Sequence, residues 1–122
     1  MKVIMFQPRF AALVKAGTKT QTIRPVRKVP LVGGERVSLR QWSGLPYRSP
    51  QIELRTAEIV SVRSMSITIT GNLPLEIEGR ILWEKELDAF ARADGFASAG
   101  EMVTWFDETH GLPFFGQLIC WQ

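Results

Sequence analysis

The segment AGTKTQTIRP places Lys19, Thr22 and Arg24 close together, directly after Gly17. A lysine that is desolvated gives up its proton more readily and can then activate a neighbouring hydroxyl. Lys19 and Thr22 are therefore a candidate base and nucleophile. In a regular strand they would point to opposite faces, so a turn or bulge just after Gly17 is needed to bring them together. Without it the segment reads as an exposed strand with polar side chains. Asp94 is the second candidate. It follows Phe90 by four residues and Ala91 by three, on the apolar stripe that Trp83 and Leu87 begin. A carboxylate on such a stripe is unfavourable unless paired. The plainer alternative is that Asp94-Gly95 only closes the helix.

Two further sets carry weaker signals. Trp42 and Tyr47 border a loop that follows Arg40, where aromatic rings beside a basic residue can stack a ligand. Trp83, Trp105 and Trp121 fall at core spacing. His110 stands at a helix C-terminus, where the helix dipole favours a charged imidazole, a structural role.

The inventory excludes other chemistries. Cys120 is the one cysteine and His110 the one histidine among 122 residues, so neither an internal disulfide nor a four-ligand Cys/His zinc site can form. A Ser-His-Asp or Cys-His mechanism would have to run through His110 alone. No metal and no cofactor is expected. The formal charge is +3, unevenly placed: nine basic residues and one acid, Glu35, lie between Lys2 and Arg40, whereas acids dominate from Glu76 to Glu108. The basic third suits phosphate, carboxylate or nucleic acid, or is simply a solvated face. No apolar run approaches the ~20 residues of a membrane span. The start, MKVIMFQPRF, lacks the long apolar region of a signal peptide, so the expected compartment is the cytoplasm.

The elements that must position these residues follow from periodicity. Lys2–Phe6 reads as a buried strand. Pro8 and Gly17 bracket a short helix over 8–16. Thr18–Ile23 is extended and ends at Pro25. Glu35–Trp42 alternates as a strand, Ser43–Pro50 is a loop, and Ile52–Val62 and Ser66–Thr70 are two further strands, followed by a turn at Gly71–Pro74. Leu82–Ala93 has helical spacing. Ser98 and Glu101 form a capping box for a second late helix ending near Gly111. Phe115–Trp121 closes the chain as a strand. The order predicts one α+β domain over 1–122, a small, mostly antiparallel sheet or barrel with helices at one side. A chain of this length buries roughly two-thirds of its unfolded surface without staples.

With these elements in place, FQPRFAALVKAGTKTQTIRP resembles the start of ASCH domains, small relatives of the PUA fold. Their hallmark GxKxxxxR is matched by Gly17, Lys19 and Arg24, and GERVSLRQW, LDAFARADGF, EMVTWF and FFGQLICW fit the rest in order. The resemblance implies a PUA-like β-barrel with flanking helices and a cleft for a nucleoside or RNA-like ligand. Some small bacterial members are amidohydrolases that convert N4-acetylcytidine to cytidine with a Lys, a Thr three residues on and an acid in the late helix. Lys19, Thr22 and Asp94 match those positions. The acid departs from the pattern, because those enzymes carry Glu; Glu101 is the alternative acid.

The resemblance thus implies a metal-independent amidohydrolase acting on acylated cytosine nucleosides. Thr22 attacks or positions a water, Lys19 moves the proton, and Asp94 orients Lys19 or binds the cytosine edge. Gln7, Arg24, Arg40, Trp42, Tyr47 and Glu101 are the expected substrate contacts. An acid near Lys19 raises its pKa, so a base role requires desolvation to outweigh that acid. The alternative is a module binding RNA or single-stranded nucleic acid, with weak ribonuclease activity. Oligomeric state is not written in the residues.

Overall fold

The computed structural model describes residues 1–68 and 75–122. The apolar N-terminal run forms β1 (Lys2–Met5). Pro8, whose missing N–H is harmless in a first turn, opens α1 (Pro8–Ala16), and Gly17 ends it at φ 80°, the left-handed conformation that glycine adopts without a Cβ penalty. β2 (Gln21–Arg24) and β3 (Arg36–Trp42) follow. β1 pairs with β3 in parallel, with α1 and β2 in the crossover between them, and every other pairing among the described residues is antiparallel.

The spine of the sheet is β4 (Gln51–Ile67), seventeen residues long. Two shorter strands were expected here. No Gly or Pro interrupts this stretch, and a register shift between Ile59 and Ser61 lets one strand serve two partners. Its first half pairs with β3, and its second half with β7 (Phe114–Trp121), which also pairs with β2. The expected strand end at Thr70 and the turn at Gly71–Pro74 lie outside the described residues. A small hairpin escapes the sequence pattern: β5 (Leu75–Ile77) and β6 (Arg80–Ile81) are joined by Glu78-Gly79, both at positive φ, 48° and 84°. Two left-handed residues suit a two-residue hairpin turn, but strands this short carry no readable period.

Among the described residues the result is α+β: a seven-stranded mixed sheet with three helices. Among the described residues β1 pairs only with β3, β2 only with β7 and β6 only with β5. The hydrogen bonding therefore does not run round into a closed barrel.

The core lies where α1, α2 (Glu84–Ala93) and α3 (Ala99–His110) meet the sheet; Val14, Val37, Leu39, Ala91, Met102 and Ile119 are fully buried. Trp121 joins it, but Trp83 does not, being 56% exposed. The helix begins at Glu84, two residues after the expected Leu82, and Trp83 sits at the cap with extended backbone (φ −103°, ψ 148°), so its ring leaves the helical stripe. The Ser98 cap forms as expected, its Oγ accepting from the Glu101 N–H at 3.1 Å. The Glu101 carboxylate pairs instead with Arg9. Among the described residues no helix is long and apolar enough to cross a membrane.

Candidate active site

The turn required after Gly17 is present. The N–H groups of Thr18 and Lys19 both donate to the Leu13 carbonyl, at 3.0 and 3.1 Å, folding the chain back around the end of α1. Strand pairing starts only at Gln21. Lys19 thus lies before the alternation begins, and its side chain enters the same interior as that of Thr22. Lys19 is 2% exposed and Thr22 4%.

Asp94 enters from the opposite side and is equally buried, at 3%. Its N–H donates to Phe90 O at 3.0 Å, and Gly95 reverses the chain at φ 102°. The two alternatives for Asp94 are therefore both realised: it caps α2, and that cap aims its carboxylate inward. A Cβ on Gly95 would stand 2.9 Å from Phe10 Cδ1, so the turn also lies flat against an aromatic wall.

Lys19 Nζ donates to the Asp94 carbonyl and sits 3.4 Å from Asp94 Oδ1, with the Phe10 ring 4.9 Å away. Gln21 Nε2 donates to the same Oδ1 at 3.4 Å. Arg24 Nε donates to Thr22 Oγ1 at 3.1 Å, and Arg24 Nη2 donates to Met5 O at 2.6 Å. The Thr22 oxygen thus accepts from a cation, and a charged donor gives a stronger hydrogen bond than a neutral one.

Burial sets the proton affinities. Desolvation lowers the Lys19 pKa from 10.5 to about 8, against the opposing pull of Asp94. Desolvation likewise brings Arg24 down to about 10, which leaves it charged at neutral pH. Burial pushes the Asp94 carboxyl upward, with Lys19 and Gln21 partly offsetting it. At Lys19 desolvation thus outweighs the opposing effect of the acid.

These groups share a cavity of about 210 Å³ with Gln7, Phe10, Phe96, Trp105 and His110. Met5 and Gln7 also line an adjoining cleft of about 320 Å³ that holds Trp42 and Tyr47. Two expected contacts are elsewhere. Arg40 lines neither hollow; its Nε donates to Ser38 Oγ at 2.8 Å and its Nη1 to Gln51 Oε1 at 2.9 Å. Glu101 lines neither, being engaged by Arg9.

The aromatic walls were not foreseen as such. Phe10, Phe96 and Trp105 have the spacing and polarity of core residues, and nothing in a sequence separates a ring facing a cavity from one facing other rings. His110 also lines the cavity, stacked on Phe106 with ring centroids 5.6 Å apart. Its pKa is lowered, first by desolvation and then by Arg24, so the expected dipole support for a charged imidazole does not prevail. Among the described residues no three His, Cys, Asp or Glu side chains gather to hold a metal ion. No protein-family model, curated protein or solved structure matches this chain.

Proposed function

We propose that this chain is a metal-independent amidohydrolase with an ASCH-like, PUA-related fold that cleaves the N4-acyl amide of acylated cytosine nucleosides, as in N4-acetylcytidine to cytidine. The observation that carries it is the burial of Lys19, Thr22 and Asp94 on one small cavity, with Lys19 near pKa 8. A cavity of 210 Å³ is below the roughly 300–1,000 Å³ of drug-sized sites and suits one base-sized ring.

Amide cleavage needs an attacking oxygen, a home for the oxyanion and a proton for the leaving amine. Roughly a tenth of Lys19 is neutral at pH 7 for a pKa about one unit higher. Neutral Nζ takes the proton from Thr22 Oγ1, or from a water held by it, as the oxygen attacks the acyl carbon. The ammonium so formed is held by the Asp94 carboxylate and carbonyl, and returns the proton to N4 as the C–N bond breaks. Where Thr22 is the attacking group, water activated by neutral Lys19 then cleaves the acyl–Oγ1 ester, supplying the second oxygen of the carboxylate product, and its proton returns through Lys19 to Oγ1. Arg24, with donors beyond those given to Thr22 and Met5, faces the developing oxyanion.

The nucleic-acid reading draws less support. Of the basic residues between Lys2 and Arg40, Lys2, Arg9 and Lys19 have carboxylate partners. Arg24, Arg27, Arg36 and Arg40 donate to neutral oxygens. Bonds to neutral oxygens leave the arginine charges in place, so it is the three ion-paired residues, with Lys19 buried as well, that are withdrawn from a phosphate backbone.

The test is purified protein incubated with N4-acetylcytidine in the presence of chelator, with cytidine followed by chromatography. Cytidine release is expected; its absence would sink the proposal.

A further inference from the structure

Two hollows adjoin at Met5 and Gln7, and only the inner one contains the reacting groups. The outer cleft is larger, about 320 Å³ against 210 Å³, and no charged side chain lines it. Its floor is Phe6 and Pro8, and its far wall is Trp42 and Tyr47. Trp42 is the last residue of β3, so a rigid strand places it. Tyr47 stands in the following loop at φ 63°, a left-handed conformation unfavourable for a bulky residue. The residue is 89% exposed, yet its ring rests on Trp42, centroids 5.1 Å apart and planes 49° apart. Two aromatic faces over an apolar floor favour a flat, uncharged partner, and they offer nothing to a phosphate.

We infer that the outer cleft is the acyl subsite of the same enzyme and that the chain acts on cytosine amides bearing a bulky aromatic acyl group. This rests on the amidohydrolase reading above. The inner cavity has room for one ring and holds Lys19 and Thr22, so the cytosine and the scissile amide sit there. Met5 and Gln7 line both hollows, so a second ring that leaves past Gln7 enters the Trp42–Tyr47 cleft. Acetyl brings no ring to stack there; benzoyl does.

The experiment compares kcat/KM for N4-benzoylcytidine and N4-acetylcytidine in the wild type, Trp42→Ala and Tyr47→Ala. The wild type is expected to favour the benzoyl substrate, and the benzoyl-to-acetyl ratio is expected to fall about tenfold in Trp42→Ala, the usual loss when a stacking ring is removed. An unchanged ratio in both variants overturns the subsite. If the wild type cleaves neither compound, the hydrolase reading fails and the cleft is judged by binding, with N4-benzoylcytidine titrated under tryptophan fluorescence. Loss of that binding in Trp42→Ala and Tyr47→Ala supports the cleft, and equal affinity in both overturns it. Tighter binding of a short cytidine oligonucleotide, lost in the same variants, also overturns it, because the cleft then stacks a neighbouring base.

Discussion

Asp94 holds Lys19 twice, through its backbone carbonyl and through a carboxylate oxygen 3.4 Å from Nζ. The carbonyl contact survives any change of the side chain; the charge does not. Asp94→Asn therefore separates position from electrostatics. The Asp94 charge raises the Lys19 pKa against desolvation, so removing it lowers that pKa below about 8. If neutral Lys19 is the base, wild-type kcat rises with pH through about 8, and in Asp94→Asn the rising limb moves to lower pH. A pH–rate profile of the two proteins checks this, and an unmoved limb contradicts it.

The same pair governs stability. Lys19 has a folded pKa of about 8 against an ordinary value of 10.5, so between these limits the unfolded chain binds the extra proton. Stability attributable to Lys19 thus rises with pH across that window, while below about 8 the full desolvation cost is present. Lys19→Met/Asp94→Asn is expected to lack the rise. Lys19→Met alone leaves a buried carboxylate without its cation and is expected to cost about 3–5 kcal/mol, more than the double change. Denaturant melts at pH 7.5 and 10 measure both.

The two glycine turns that aim the site differ in what surrounds them. Gly17→Ala meets Arg55 Nη1 at 2.9 Å, the far end of a flexible chain that can swing away. The left-handed backbone still costs about 1–2 kcal/mol. Gly95→Ala meets the Phe10 ring at 2.9 Å, and that ring is itself held edge-on by Phe96 and Trp105. Gly95→Ala is expected to be the more destabilising of the two in thermal unfolding, and the reverse order would contradict this packing.

His110 reports on the charge of Arg24 across the cavity. Desolvation first and Arg24 second lower its pKa from the ordinary imidazole value. Arg24→Gln keeps bulk and removes the charge, and the His110 midpoint in an NMR titration is expected to move upward. An unchanged midpoint would show that Arg24 does not act on it.

Much of the scaffold is legible from local chemistry. Pro8 and Gly17 bracket α1 to the residue, Ser98 caps α3, and the need for a turn before Thr22 follows from strand alternation alone. What stayed hidden depends on tertiary context. Whether desolvation or Asp94 wins at Lys19 is set by how deeply both are buried. β4 continues through Ser64 because β7 accepts a register shift at Ile59, a decision made by the partner strand. Trp83 has the right spacing for the core and still faces solvent, because the helix starts at Glu84 and leaves it at the cap, off the stripe. Arg40 and Glu101 had the right type, but Ser38, Gln51 and Arg9 claim them.

The most direct measurement of the central claim is kcat for N4-acetylcytidine in Lys19→Arg. Arginine keeps a cation beside Asp94 but cannot give up its proton near neutral pH. The account predicts cytidine release by the wild type and a fall of about 100-fold or more in the variant, the usual contribution of a positioned acid–base group. A Lys19→Arg protein that is folded and retains wild-type kcat would contradict it.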